Sequence, residues 1–263
     1  CSSIKRNSQN LHWLLTSFNC MKSKKRLDQL VLQKAPALSR RRIQDEIAKG
    51  NVRVDGVVVT KPGVQFTEDV AIECNFQEQQ FVGRAGLKLQ RALDHFAIDV
   101  TDLVVLDAGL STGGFTDCLL QRGVQKIYGV DVGHSQVHEL IKNDPRVIVM
   151  ERTNLRALTT VGELVDLITL DLSFISVLKV MDAVIQLLKP DGKLIVLIKP
   201  QFETEPSFIG KGGIIKDSKI HEQILKEVTN GIAAHGFALQ GTIESPILGG
   251  DGNKEFLAYF LRK

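Results

Sequence analysis

From residue 103 onward, short apolar runs alternate with stretches of helical spacing. The runs are VVLDAG, KIYGVDVG, VIVMERT, LVDLITLDLSF and KLIVLIKP. Most are nearly continuous in branched residues, as strands covered on both faces read. Between them, TDCLLQRG, HSQVHELIK and VMDAVIQLL carry apolar residues three and four apart, which predicts helices. A longer helix through HEQILKEVTNGIAAHG ends at Gly236. FALQGTIESPIL and EFLAYFLRK then close the chain as two strands with no helix between them. The alternation predicts a parallel, doubly wound sheet, and its end predicts a hairpin with one antiparallel strand.

A smaller pattern occupies residues 25–74. RLDQLVLQ places Leu27, Leu30 and Val31 on one helical face. Ser39 reads as an N-cap before RRRIQDEIAK, where Ile43 and Ile47 lie four apart and Gly50 ends the helix. NVRVDGVVV predicts two short strands around Asp55-Gly56, a dipeptide that favours a tight hairpin. The Pro62-Gly63 turn and the strand VAIEC close the module. Residues 75–82 are read as a linker. In the following FVGRAGLKLQRALDHFAI, Leu87, Leu89, Leu93 and Phe96 set a helix face. Gly83 and Gly86 loosen its start, and Lys88 points away from the apolar side. Residues 1–24, basic and without acids, are expected to be a disordered leader or targeting remnant.

Composition narrows the class. A chain of 263 residues, 43% hydrophobic and 24% charged, suits one large domain beside a small one. No apolar run nears the ~18 residues of a membrane span. Cysteines at 1, 20, 74 and 118 lack paired spacing, so neither a zinc nor a redox motif is present and reduced thiols are expected. The net charge of +3 is uneven. Residues 1–61 hold thirteen Lys/Arg against four Asp/Glu, net +9, which leaves −6 on the remainder. A basic head on a mildly acidic body points to a polyanion partner.

Chemistry is expected at the carboxyl ends of the strands, around the switch point between the first and fourth strands of the large sheet. Residues 104–115, VVLDAGLSTGGF, read as strand, Gly-rich loop and helix start, an arrangement that lets backbone approach a nucleotide-like ligand. The G-x-x-x-G-G spacing differs from G-x-G-x-x-G and disfavours a pyrophosphate cradle. Asp131, 22 residues beyond Gly109, can accept two hydrogen bonds from a ribose diol, which NAD and S-adenosylmethionine both possess. Asp107 orders the loop or contacts a methionine amino group, and Asn154 reaches an adenine edge or forms a turn. Asp171 and Lys199 each interrupt a long apolar strand, and facing one mouth they could satisfy each other's charge. The closing strand hairpin favours a methyltransferase sheet over the six-parallel-strand dinucleotide fold.

RLDQLV, SRRRIQDEIAKGNVRVDG and the KPG turn resemble the RNA-binding domain named after ribosomal protein S-four. That resemblance assigns RNA contacts to Arg26, Arg40, Arg41, Arg42, Lys49 and Arg53. With LDAGLSTGGFTD, GVDVG, ERTN, LDLSFIS, LIKPQFE and GGIIKD, residues 25–263 resemble the TlyA (hemolysin A) family, related to FtsJ-type ribose 2′-O-methyltransferases. The resemblance implies an α/β fold: a Rossmann-like S-adenosylmethionine-dependent methyltransferase domain over 83–263, mostly parallel with an antiparallel terminal hairpin, after a small α+β domain over 25–74. It implies methylation of ribosomal RNA by a Lys-Asp-Lys-Glu tetrad falling on Lys88, Asp171, Lys199 and Glu255. Lys199 would assist deprotonation of the 2′-hydroxyl, since a lysine crowded by another cation and desolvated can accept a proton. The cofactor set is Asp107, Gly109, Ser111, Thr112, Gly113, Gly114, Phe115, Asp131, Val132, Asn154 and Asp171.

A base methyltransferase is disfavoured, because no N-P-P-Y-type turn follows the fourth strand and no cysteine ends the fourth or fifth. A non-catalytic RNA-binding assembly factor would keep the basic head without four converging polar residues. A cytolysin lacks a supporting amphipathic or spanning segment. Expected partners are ribosomal RNA or ribosomal subunits, without membrane or metal, and the chain is expected to act as a monomer. The expected site is the cytoplasm if the source is bacterial, or a plastid or mitochondrion if residues 1–24 are a targeting remnant.

Overall fold

The structure is a computed structural model that describes residues 23–36, 38, 40–76, 80–210 and 212–263. Most of the expected leader and the expected cap Ser39 lie outside the described residues. The chain divides into two compact units, Cys1–Glu78 and Gln79–Lys263.

In the first unit, β1 (Lys24–Arg26) runs into α1 (Leu27–Lys34), followed by α2 (Arg40–Ala48). The strands β2 (Val52–Val54), β3 (Val57–Val58), β4 (Gln65–Thr67) and β5 (Ile72–Cys74) complete it. Leu27, Val31, Ile43 and Ile47 bring the helices together over Val52 and Val54. The hairpin forms where expected: Val54 pairs with Val57, and Asp55 and Gly56 both take positive φ, as a two-residue turn of the right twist requires. The sequence pattern did not reveal the antiparallel pairing of β1 with β4, which places Lys24 in a strand and not in the leader. Three residues carry too little alternation to be read.

The second unit contains α3 (Ala85–His95), β6 (Val104–Ala108), α4 (Gly114–Gln121), β7 (Lys126–Val130), α5 (Glu139–Lys142) and β8 (Val147–Met150). It continues with β9 (Val165–Leu170), α6 (Met181–Leu187), β10 (Leu188–Ile198), α7 (Pro200–Glu203), α8 (Ser218–Ala234), β11 (Phe237–Glu244) and β12 (Phe256–Arg262). Seven strands form one sheet in the order β11-β12-β10-β9-β6-β7-β8. β6, β7, β8, β9 and β10 pair in parallel, and β12 runs antiparallel to both its neighbours. This is the doubly wound sheet with an antiparallel hairpin that the pattern predicted.

Alternation sorts the strands onto two cores. Ile168, Leu170, Leu194, Val196 and Ile198 face one side, with α6 and α8. Val105, Leu167, Ile195, Leu197 and Leu257 face the other, with α3 and α4.

Four expectations need correction. The helix expected over 134–142 is only Glu139–Lys142, since the preceding residues loop past Gly133 and Ser135, the latter at φ 57°. On α3 the exposure is reversed: Leu87 is exposed, whereas Lys88 is only 5% exposed and lies in the buried stripe with Leu89, Ala92 and Leu93. Gly83 and Gly86 do not loosen that helix. A Cβ on Gly86 would sit 2.4 Å from the Phe81 ring, and one on Gly83 would sit 2.5 Å from Thr112 Oγ1. Phe81 and Val82, expected at the end of the linker, are therefore packed: Phe81 is buried, and Val82 N–H donates to Asp117 Oδ2 at 2.7 Å.

Candidate active site

The parity of the strands decides which polar residues meet. Asp107, Thr169, Asp171, Lys199 and Glu255 all continue the odd-numbered set that faces α3 and α4. Ile198 pairs with Phe256, so Lys199 and Glu255 flank adjoining positions where β10 and β12 end. Asp171 follows β9, and its N–H still bonds Ala108 O on β6 at 2.9 Å.

Two lysine–carboxylate pairs result, Lys88–Glu255 buried and Lys199–Asp171 with a part-exposed carboxylate. Lys199 Nζ lies 2.6 Å from Asp171 Oδ1 and donates to Ser173 Oγ at 2.9 Å. Lys88 Nζ, reaching in from α3, donates to Glu255 Oε2 at 2.5 Å. Lys199 is 8% exposed and Glu255 3%. Charges so far from water persist only when paired, and each of these has its partner.

Next to the first pair lies a cleft of about 460 Å³, within the range of small-molecule sites. Of the expected cofactor residues, Gly109, Ser111, Asp131, Val132, Asn154 and Asp171 line it. Asp131 spans two loops: Oδ2 accepts from Ser111 N–H and Oδ1 from Gly133 N–H, both at 2.7 Å. Asn154 lines the cleft and also caps a short 3₁₀ turn, its Oδ1 accepting from Arg156 N–H at 3.1 Å. Both alternatives weighed for it are thus compatible, since the amide NH₂ remains to be offered to a ligand.

Asp107, Thr112, Gly113, Gly114 and Phe115 stand outside that lining. Phe115 belongs to the core. A Cβ on Gly113 would meet Ile141 at 2.7 Å, and one on Gly114 would meet Gly83 O at 2.9 Å. These loop glycines permit close packing of the protein on itself. Gly109, which does line the cleft, has φ 92°, and a Cβ there would sit 2.3 Å from Asp171 O. It ties the loop directly to the Asp171 backbone.

Asp107 is fully buried and accepts from Thr116 Oγ1 at 2.7 Å and Thr169 Oγ1 at 2.8 Å. Burial pushes its carboxyl up to about 6 against the pull of those two hydroxyls, with the nearby Asp171 charge adding to the rise. Both oxygens are engaged by threonines that join β6 to α4 and β9.

Sequence reasoning passed over the residues after Asp171. Ser173 and Phe174 line the cleft, and Phe174 is 90% exposed with φ 64°. The signal for Ser173 was a hydroxyl two positions beyond a carboxylate that interrupts a strand. Nothing in the sequence marks Phe174 as exposed.

In the first unit four of the six cations assigned to RNA sit around two buried carboxylates. Asp28 accepts from Arg26 Nε at 3.0 Å and from Arg40 at 3.1 Å, and Glu46 pairs with Arg42 and Lys49 at 3.1 and 3.4 Å. Hydrogen bonds from Arg26, Gln44 and Arg40 hold the Asp28 carboxyl far below its ordinary range despite burial. Arg53 donates to Gly56 O at 3.1 Å, and Arg41 is exposed.

Residues 81–262 match the FtsJ-like methyltransferase family, and residues 25–72 match the S4 domain. The chain is 40% identical over 239 residues to Hemolysin A of Brachyspira hyodysenteriae, covering 90% of this chain and 99% of that one. It is 37% identical over 242 residues to the 16S/23S rRNA (cytidine-2′-O)-methyltransferase TlyA of Mycobacterium tuberculosis, covering 91% and 90% of the two chains. A solved structure described as "Putative hemolysin from Streptococcus thermophilus" superposes with TM-score 0.74 at 35% identity, over 92% of this chain and 90% of that one.

Proposed function

The chain belongs to the FtsJ-like methyltransferase family, in company with relatives named TlyA and hemolysin A, and from that premise we propose that it methylates ribose 2′-hydroxyls of ribosomal RNA with S-adenosylmethionine. The observation that carries this reading is the two ion pairs, Lys199–Asp171, whose carboxylate lines the cleft, and Lys88–Glu255, whose carboxylate flanks the end of β12 adjoining β10.

The cleft fits such a cofactor. Asp131 keeps lone pairs free on both oxygens after its two backbone bonds, enough to accept from a ribose diol. Val132 and Leu155 provide apolar lining, and Asn154 offers an amide edge. S-adenosylmethionine supplies an electrophilic methyl group on a sulfonium. A ribose hydroxyl is a weak nucleophile until its proton is removed. In its amine form, Lys199 Nζ takes that proton, with Asp171 Oδ1 holding the lysine and stabilising the ammonium that results. Lys88, fixed by Glu255, helps orient the hydroxyl. Phe174 offers an exposed ring face on which a nucleobase can stack. The cations of the first unit supply phosphate contacts.

The test uses the full chain, methyl-labelled cofactor and ribosomal subunits, with mass mapping of 2′-O-methyl sites. Lys199→Ala is expected to lower transfer by roughly 10²–10⁴-fold, the usual weight of a general base. Its cofactor affinity by calorimetry stays near that of the unmodified chain. Undiminished transfer by Lys199→Ala sinks the reading.

A further inference from the structure

We infer that Ser173 is a positioning residue for Lys199: its hydroxyl accepts a hydrogen bond from Nζ and so fixes the amine about the Cε–Nζ bond for the ribose hydroxyl. This rests on the methyl-transfer reading above and adds a residue to it.

A lysine nitrogen has three directions besides its bond to Cε. Ser173 Oγ, accepting at 2.9 Å, takes one, whereas Asp171 Oδ1, 2.6 Å away, pairs with the charge without hydrogen-bond alignment. When the nitrogen is an amine, one N–H bond fills the direction of the hydroxyl, and this sets the rotation about Cε–Nζ and with it where the lone pair points. With the carboxylate alone, no hydrogen bond sets that rotation.

Ser173 has no competing structural task of the usual kind. In LDLSFIS it is Ser176 that caps the following 3₁₀ turn, accepting from Leu178 N–H at 3.2 Å. The turn carrying Ser173 is also braced. Phe174 sits in the left-handed region at φ 64°, a strained conformation for a bulky residue. Its ring packs on Phe202 with centroids 5.0 Å apart, and Phe202 N–H bonds Lys199 O at 2.9 Å. That ring contact links the turn of Ser173 to the turn of Lys199.

The experiment measures kcat and KM for methyl transfer to ribosomal subunits, with cofactor affinity by calorimetry, in the full chain. Ser173→Ala is expected to lower kcat about 10–100-fold, as a misplaced reacting group does. KM and cofactor affinity change by less than about twofold, because the alignment of the amine matters only in the transition state. Ser173→Cys, which keeps the volume but accepts weakly, shows the same loss and guards against a packing artefact. An unchanged kcat in either variant overturns the inference, as does cofactor affinity falling in step with kcat, which would make Ser173 a cofactor contact. Absence of transfer by the unmodified chain overturns the reaction reading itself.

Discussion

A carboxylate enclosed by a sheet usually finds a cation, yet Asp107 is held by two threonine hydroxyls. Its carboxyl, raised to about 6, binds a proton in the folded chain at pH values where the unfolded chain, with an ordinary carboxyl, has lost it. The sign follows: above about 6 both states are ionised and the burial penalty stands in full, and as pH falls from 7 to 5 that penalty is relieved. In urea titrations, stability of the unmodified chain relative to Asp107→Asn is expected to rise by about 1 kcal/mol over that interval. A flat difference would show that the two hydroxyls fully satisfy the charge. At this scale the sequence showed Asp171 and Lys199 as charges interrupting apolar strands. It misplaced Lys88, because one polar residue in a helical pattern is read as outward unless its partner, here Glu255 more than 160 positions away, is known.

The element that brings Lys88 to the site is α3, and its seating depends on Gly86 passing beneath Phe81. In a helix interior Gly→Ala ordinarily stabilises by about 1 kcal/mol. Here the added Cβ would lie 2.4 Å from the ring, so Gly86→Ala is expected to destabilise by about 1–3 kcal/mol, the cost of overpacking. Denaturant unfolding measures the sign, and transfer activity should fall further than the folded fraction if α3 shifts Lys88. The apolar runs made all the large strands legible, since branched residues covered on both faces leave a strong signal. The helix expected over 134–142 failed because Gly133 and Ser135 serve a loop at the cleft whose geometry depends on Asp131.

Across the whole molecule the charges are divided, with +9 over residues 1–61 and −6 over the rest. RNA affinity of the full chain should therefore fall with salt through contacts made by the first unit. Replacing Arg41 and Arg53 together with Ala is expected to lower the slope of log affinity against log salt by about 2, leaving cofactor affinity unchanged. An unaltered slope would place the phosphate contacts elsewhere. Arg26, Arg40, Arg42 and Lys49 are poorer choices for this test, because the buried carboxylates Asp28 and Glu46 also depend on them.

The amino-acid sequence alone determined the alternation of strands and helices, the antiparallel ending, the hairpin at Asp55-Gly56 and the polar residues at the strand ends. Those are local properties of period, turn chemistry and interrupted apolar runs, and they survive any arrangement of the rest. Only the tertiary structure decided that Lys88 turns inward to Glu255, that the glycines at 113 and 114 serve packing against Ile141 and Gly83, and that Ser173 meets Lys199. Each of these is a contact between segments that approach only when the sheet closes and its odd-numbered face is covered by α3 and α4.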